Sequence, residues 1–305
     1  MFINFMKKAE LFEVVDSQKK IIKCKACAQE CVISPGKLGL CGVRKNQEGI
    51  LYSLTYEKLI AQHIDPIEKK PLFDFMPSET KVYSIGTVGC NFSCDWCQNF
   101  DISQIKREYE ILGKDVSPEE VVKSALKNNC ECIAYTYNEP AINIEFVRDT
   151  ARLAKEKGLK NILVTNGYFT KESFEYLNKE NLIDAMNIDL KAFKDETYRK
   201  YCNAVHGLQP VLDTIKRAYE AGIHLEITTL VIPDLNDSSR EVEKIAEFIF
   251  SLDSGGGGIP WHLSRFFPMF KFADWGGGST DIKTMERAKE IGGKVGLKKI
   301  YLGNV

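Results

Sequence analysis

From residue 81 onward the chain alternates short apolar runs with longer segments of helical periodicity. Runs at 81–89 (KVYSIGTVG), 132–138 (CIAYTYN), 161–167 (NILVTNG), 185–191 (AMNIDLK), 224–233 (HLEITTLVIP) and 261–268 (WHLSRFFP) predict buried strands. A further run at 298–304 (KKIYLGN) predicts a seventh. Between them, Ser117-Pro118-Glu119-Glu120 reads as a helix start: an N-cap serine, proline at the first position and acids in the first turn. The segments SFEYLNKE, LDTIKRAYEAG and SREVEKIAEFIFSL predict further helices, the second ending at Gly222. Repeated strand–helix–strand units imply parallel strands with right-handed crossovers. The fold class is therefore α/β, a partial (β/α)6 barrel of TIM type over residues 81–305. An open doubly wound sheet is the alternative that periodicity leaves standing. Residues 1–80 lack this rhythm and read as an irregular, cysteine-rich, metal-binding region containing the punctuated run DPIEKKPLFDFMP.

Each strand run is apolar until its C-terminal end and then turns polar. Cys90, Asn138 with Glu139, Thr165 with Asn166, Asp189 with Lys191, and Arg265 all fall at or just past such ends. In a βα barrel those ends share the face that carries the active site. Any one of them could be ordinary turn chemistry, but five converging ends predict a site.

Composition adds exclusions. With 44% hydrophobic and 27% charged residues among 305, the chain is globular rather than disordered. A formal net charge of −1 leaves no bulk electrostatic footprint for nucleic acid or a membrane surface, although a local basic patch stays open. The first six residues are followed by Lys7 and Lys8, too short a run for a secretory signal, and no apolar segment approaches a membrane span. A cytoplasmic location is expected. There, ten cysteines are kept reduced rather than paired in a disulfide framework. Cys130, Cys132 and Cys202 are scattered among apolar residues and read as core thiols. The other seven form two groups.

One group is Cys90, Cys94 and Cys97, in the stretch GTVGCNFSCDWCQNF. Thiolates select iron–sulfur clusters, zinc or copper(I). Three cysteines on a four-iron cluster leave one iron without a protein ligand, free to take a cofactor or substrate. The competing reading is a zinc knuckle completed by a distant cysteine or histidine. The position of the loop, directly after the first barrel strand and with Trp96 before its last cysteine, favours the cluster.

This C-x3-C-x2-C loop resembles that of the radical S-adenosylmethionine (SAM) enzymes. The chain is similar to the pyruvate formate-lyase activating enzymes and closer still to the AmmeMemoRadiSam radical SAM group. The matching stretches are DPIEKKPL, GTVGCNFSCDWCQN, YTYNEP, VTNGY, IDLKAF and HLSRFFP. The resemblance implies a [4Fe–4S] cluster on Cys90, Cys94 and Cys97 whose open iron chelates SAM, and reductive cleavage of SAM to methionine and a 5′-deoxyadenosyl radical that abstracts hydrogen. It further implies that Glu139 receives the methionyl amine, in a segment where many relatives carry Gly-Gly-Glu-Pro and this chain carries Asn138-Glu139-Pro140. Thr165, Asn166, Asp189 and Lys191 match positions lining the SAM methionine and ribose. Thr165 and Asp189 are the ligands available for a monovalent cation beside SAM. Independently of the family, a zwitterionic amino acid needs an anion for its amine and a cation for its carboxylate, which Glu139 and Lys191 could supply. A salt bridge between strand ends is the bland alternative. Arg265 could hold a substrate or SAM carboxylate with its planar fork. His262 reads as a satisfied core histidine, and Tyr135 and Tyr137 as packing.

The second group, Cys24, Cys27, Cys31 and Cys41, is spaced to close a four-thiolate site, with structural zinc preferred to an auxiliary iron–sulfur cluster. Of two glycine tracts, Gly255 to Gly258 belongs to the face away from the site. Gly276 to Gly278 belongs to the active face, as a mobile loop or an inert connection. The resulting expectation is a radical SAM enzyme with SAM and a flavodoxin- or ferredoxin-type electron donor as partners. Its reaction is either activation of a protein substrate, a glycyl radical enzyme, or that of the AmmeMemoRadiSam group on another substrate. A non-enzymatic electron carrier or metal-stabilised scaffold is the alternative class.

Overall fold

A computed structural model describes residues 6–105, 111–253 and 255–305. Apart from Met6, the N-terminal apolar run lies outside the described residues. One eight-stranded sheet organises the molecule: β1 (Ala61–Pro66), β2 (Lys81–Gly86), β3 (Cys132–Tyr135), β4 (Lys160–Thr165), β5 (Ala185–Asp189), β6 (His224–Val231), β7 (Trp261–Arg265) and β8 (Ile300–Gly303). The spatial order of the strands is their chain order. Strands β2 to β8 are mutually parallel, and β1 pairs antiparallel with β2. A doubly wound sheet reverses its strand order at a switch point. This one never reverses, so it winds one way as a barrel does. Among the described residues no ladder joins β8 back to β1, which leaves the barrel partial.

The strands are buried on both faces, as their near-continuous apolar runs require. Helices cover the outside: α1 (Pro118–Lys127), α2 (Ile144–Glu156), α3 (Lys171–Asn178), α4 (Asp195–Cys202), α5 (Gln209–Glu220), α6 (Ser239–Leu252) and α7 (Ile282–Val295). Helix α1 starts where its sequence says, Ser117 and Glu120 forming a reciprocal capping box.

The inside of the partial barrel is filled at one end only. Ile67 and Leu72, from the stretch between β1 and β2, pack on Val82, Cys132, Ile162 and Ala185 at the strands' N-terminal ends. Buried Glu226 of β6 holds this plug, accepting from Phe73 N at 3.1 Å and Asp74 N at 2.9 Å. Glu226 also meets His262 Nε2 at 2.6 Å and His224 Nε2 at 2.9 Å. Against burial, His224, His262 and the Asp74 amide hold its carboxyl down at about 2. His262 is thus a satisfied buried histidine. The opposite end, where the polar residues gather, stays open.

The N-terminal region consists of short antiparallel strands rather than unstructured chain: Phe12–Asp16, Ile21–Cys24 and Val32–Ile33 in one sheet, Lys7–Lys8, Ile50–Ser53 and Arg44–Gln47 in another. Strand β1 lies before residue 81 yet belongs to the barrel sheet. A buried ion pair fastens the region to the barrel, Arg44 meeting Glu145 of α2 at 3.1 and 2.6 Å. Among the described residues no helix is long and apolar enough to cross a membrane.

Candidate active site

The open end holds a cleft of about 580 Å³. Cys90, Cys94 and Cys97 line it, together with Asn138, Glu139, Thr165, Asn166, Asp189 and Lys191. The structure therefore brings together every strand-end residue singled out above except Arg265. That residue is turned away: its Nε donates to Thr280 O at 2.7 Å and its guanidinium lies 4.9 Å from the Phe267 ring. Its β7 neighbours His262, Leu263 and Ser264 do line the cleft. The expected carboxylate contact from Arg265 is thus not placed at the cleft.

The cysteine loop leaves β2 through Gly89, whose φ of +85° and surroundings require glycine; a Cβ there would sit 2.6 Å from Cys41 O. The C-terminal carbonyls of α4 then dock the loop, Cys202 O accepting from Ser93 N at 2.9 Å and Tyr201 O from Asp95 N at 3.1 Å. Phe92 N points at Cys90 Sγ at 3.4 Å, and Cys97 Sγ lies 3.1 Å from Ser103 Oγ. The neighbouring Cys202 thiol, then burial, raise the Cys94 thiol well above its usual range, and burial raises Cys97. Cys202, read above as a core thiol, is buried and also touches this loop. On the outer side, Trp96 packs 5.6 Å from Phe272, which stacks on Trp275 at 4.1 Å. The connection carrying Gly276 to Gly278, expected to be mobile or inert, is anchored by these aromatics and by Phe272 N bonding Asp95 O at 3.2 Å.

At the strand ends, Asn138 serves the loop: its Nδ2 donates to Thr87 Oγ1 and Gly89 O, both at 2.9 Å. Glu139 is buried and accepts from Ala141 N at 3.0 Å, Thr165 Oγ1 at 2.8 and 2.9 Å and Asn166 N at 2.8 Å. Burial outweighs these neutral donors and raises its carboxyl to about 7. Lys191 Nζ meets Asp189 Oδ2 at 2.7 Å, so the strand-end ion pair is Asp189–Lys191 and not Glu139–Lys191. Burial disfavours the Lys191 ammonium, but Asp189 beside it holds it well above its usual range.

A second polar cluster on the cleft wall escaped sequence reasoning. Tyr137 has φ +70°, which breaks the strand alternation shared with Tyr135. Its hydroxyl donates to Asp65 Oδ2 at 2.8 Å, and Lys70 Nζ reaches the same oxygen at 2.8 Å. Against the cost of burial, these two hold the Asp65 carboxyl well below the usual carboxylate range. Tyr135 points elsewhere, to Asn161 Oδ1 at 3.2 Å. The signal in the sequence was the motif DPIEKKPL, but the partner of its aspartate lies 72 positions away.

Among the described residues no group of three or more His, Cys, Asp or Glu side chains is arranged to hold a single metal ion. Three thiols facing an open cleft fit a cluster, whose irons do not require the sulfurs to converge on one ion. The same cleft offers a carboxylate, a carboxylate–ammonium pair and hydroxyl and amide groups, the donor set a zwitterionic nucleoside needs.

Residues 84–249 match the Radical SAM superfamily. An uncharacterized protein of Methanocaldococcus jannaschii is 42% identical over 300 residues, covering 98% of this chain and 86% of its own. A putative glycyl-radical enzyme activating enzyme of the same organism is 33% identical over 185 residues, covering 59% and 65%. Among solved structures, Streptococcus suis SuiB bound to precursor peptide SuiA superposes with a TM-score of 0.56 at 13% identity, over 78% of this chain and 51% of that one. That likeness concerns the fold, an α/β partial barrel. The family uses a [4Fe–4S] cluster and SAM for radical chemistry, and this chain belongs to the radical SAM superfamily.

Proposed function

We propose that Cys90, Cys94 and Cys97 hold the [4Fe–4S] cluster, that the strand ends around them hold SAM, and that hydrogen is taken from a glycine of a protein substrate. The observation that carries the reading is the convergence of the three thiols with Glu139, Asp189 and Lys191 on one cleft of about 580 Å³. Glu139 faces the methionyl ammonium, which supplies the positive partner its buried carboxyl lacks. Lys191 turns from Asp189 to the SAM carboxylate. Asp189, Thr165 and Asn166 take the ribose and the rest of the methionyl group. A cluster held by Cys90, Cys94 and Cys97 would, once reduced, supply the electron for splitting SAM into methionine and a 5′-deoxyadenosyl radical. An electron carrier has no use for this polar shell, which weighs against the non-enzymatic reading. The electron comes from a flavodoxin- or ferredoxin-type donor in a reducing, cytoplasmic setting.

The glycine substrate is supported by the relative named as a putative glycyl-radical enzyme activating enzyme. A second reading, hydrogen abstraction from a different substrate in the AmmeMemoRadiSam manner, rests on the sequence resemblance and keeps its place because the relative that matches most of the chain is uncharacterized. The 42% identical relative spans 98% of the chain, whereas the activating-enzyme likeness spans 59%. Mixing the reduced, cluster-loaded protein with SAM and a glycyl radical enzyme from the same genome separates the two. A glycyl radical signal in electron paramagnetic resonance is expected for activation. 5′-Deoxyadenosine without that signal assigns the chain to the other substrate.

A further inference from the structure

Cys24, Cys27, Cys31 and Cys41 lie outside the cleft, yet the fold gathers them. All four line one small cavity, along with Arg44 and Asn91. Cys24, Cys27 and Cys41 are buried and Cys31 is half-buried. Cys24 N bonds Cys31 O at 3.0 Å, closing the turn that returns Cys31 to the start of the motif. Leu40 N donates to Cys31 Sγ at 3.4 Å, bringing in the strand of chain that carries Cys41. Asn91 adds an independent observation. Its Oδ1 accepts from Asn166 Nδ2 at 2.7 Å, while its own Nδ2 is buried with no hydrogen-bond partner among the described residues. A buried donor left unmatched is costly. A metal-bound thiolate in that cavity, which Asn91 also lines, would supply such an acceptor.

We propose that Cys24, Cys27, Cys31 and Cys41 form a second metal centre, ligated wholly by protein thiolates, that braces the loop carrying Cys90, Cys94 and Cys97. Its ligand chemistry is that of zinc or an iron–sulfur cluster. Each thiol releases its proton on binding. Neither cysteine group is arranged around a single ion among the described residues, so binding draws the four sulfurs inward.

The brace is visible in Gln29, between Cys27 and Cys31. Its Nε2 donates to Asn91 O and Asn203 O, both at 2.7 Å, and its Oε1 accepts from Val205 N at 3.0 Å. One buried side chain thereby ties the four-cysteine segment to the residue after Cys90 and to the end of α4, on which that loop docks. Residue 89, just before Cys90, lies against Cys41 O. The bracing role rests on Cys90, Cys94 and Cys97 holding the cleft cluster, whereas the metal centre itself does not.

The full chain with Cys90→Ala, Cys94→Ala and Cys97→Ala isolates the second centre. Purified anaerobically and incubated with zinc, or with iron and sulfide, it is expected to retain zinc or matched iron and sulfide. Adding Cys24→Ser and Cys41→Ser should abolish that retention. A triple variant that folds by circular dichroism and stays metal-free after both incubations overturns the centre, whatever becomes of the cleft. For the brace, Gln29→Ala in the otherwise unaltered chain should keep the second metal and lose cleft-cluster occupancy, read by visible absorbance and iron content. Gln29→Glu keeps the acceptor for Val205 N but not the two donated bonds, and should fall with it. Unchanged cleft-cluster occupancy in both variants overturns the brace.

Discussion

Glu139 is the residue on which the electrostatics of the cleft turn. Burial raises its carboxyl to about 7, above the ordinary value of 4.5, so the folded chain holds this proton more tightly than the unfolded one. Its contribution to stability is present below the unfolded value and is lost as pH rises through about 7. An ammonium ligand wants the ionised form, so SAM affinity should move the opposite way, strengthening as pH rises through about 7. Titrations across that range should show the slope in the unaltered chain and its loss in Glu139→Gln; equal slopes would remove Glu139 from the SAM contacts. Lys191→Ala removes a charge-assisted contact and should weaken SAM binding by about ten- to a hundredfold, roughly 1.5–3 kcal/mol, with cluster absorbance intact. A lower melting temperature with unaltered SAM affinity would instead mark the Asp189–Lys191 pair as structural. The cysteines were readable because their spacing is local. The inward turn of Tyr137 was not, since a left-handed residue past a strand end reverses the alternation that pattern reading relies on.

At the scale of elements, the cleft exists because the sheet is plugged at one end and its cysteine loop is clamped from three sides. Gly89 is where the loop, the N-terminal region and β2 meet. Gly89→Ala places a Cβ 2.6 Å from Cys41 O and 2.7 Å from Val43 Cγ1 at a φ of +85°. It should cost at least about 1–2 kcal/mol of stability and impair cluster incorporation. Gly276→Ala meets nothing within 4 Å and should stay within about 0.5 kcal/mol, both read by denaturant unfolding. A tolerated Gly89→Ala would mean that the loop has room to move. Strand runs and the α1 start were legible from periodicity and capping chemistry. The plug was not, because Ile67 and Leu72 look like any loop apolar residues until the barrel closes over them. Arg265 shows the reverse: its guanidinium is held by Thr280 O and the Phe267 ring, and its place at a strand end alone misled.

The whole molecule is a barrel and an N-terminal region held together by contacts between residues far apart in the chain, which no local pattern announces. Arg44 and Glu145, 101 positions apart, are buried together. Arg44→Met leaves the carboxylate uncompensated and should cost about 3–5 kcal/mol in urea unfolding. Pairing it with Glu145→Met should cost less than the sum of the single changes, and strict additivity would show that the two do not act as a pair. All of these contacts serve one cleft, whose assignment stands on Cys90, Cys94 and Cys97 holding a cluster open to SAM. The most direct measurement is 5′-deoxyadenosine formed from SAM by anaerobically reconstituted, reduced protein, beside the variant with all three cysteines changed to alanine. Product from the unaltered chain and none from the variant is the expected result. Equal product from both, or none from a fully cluster-loaded unaltered chain, would contradict it.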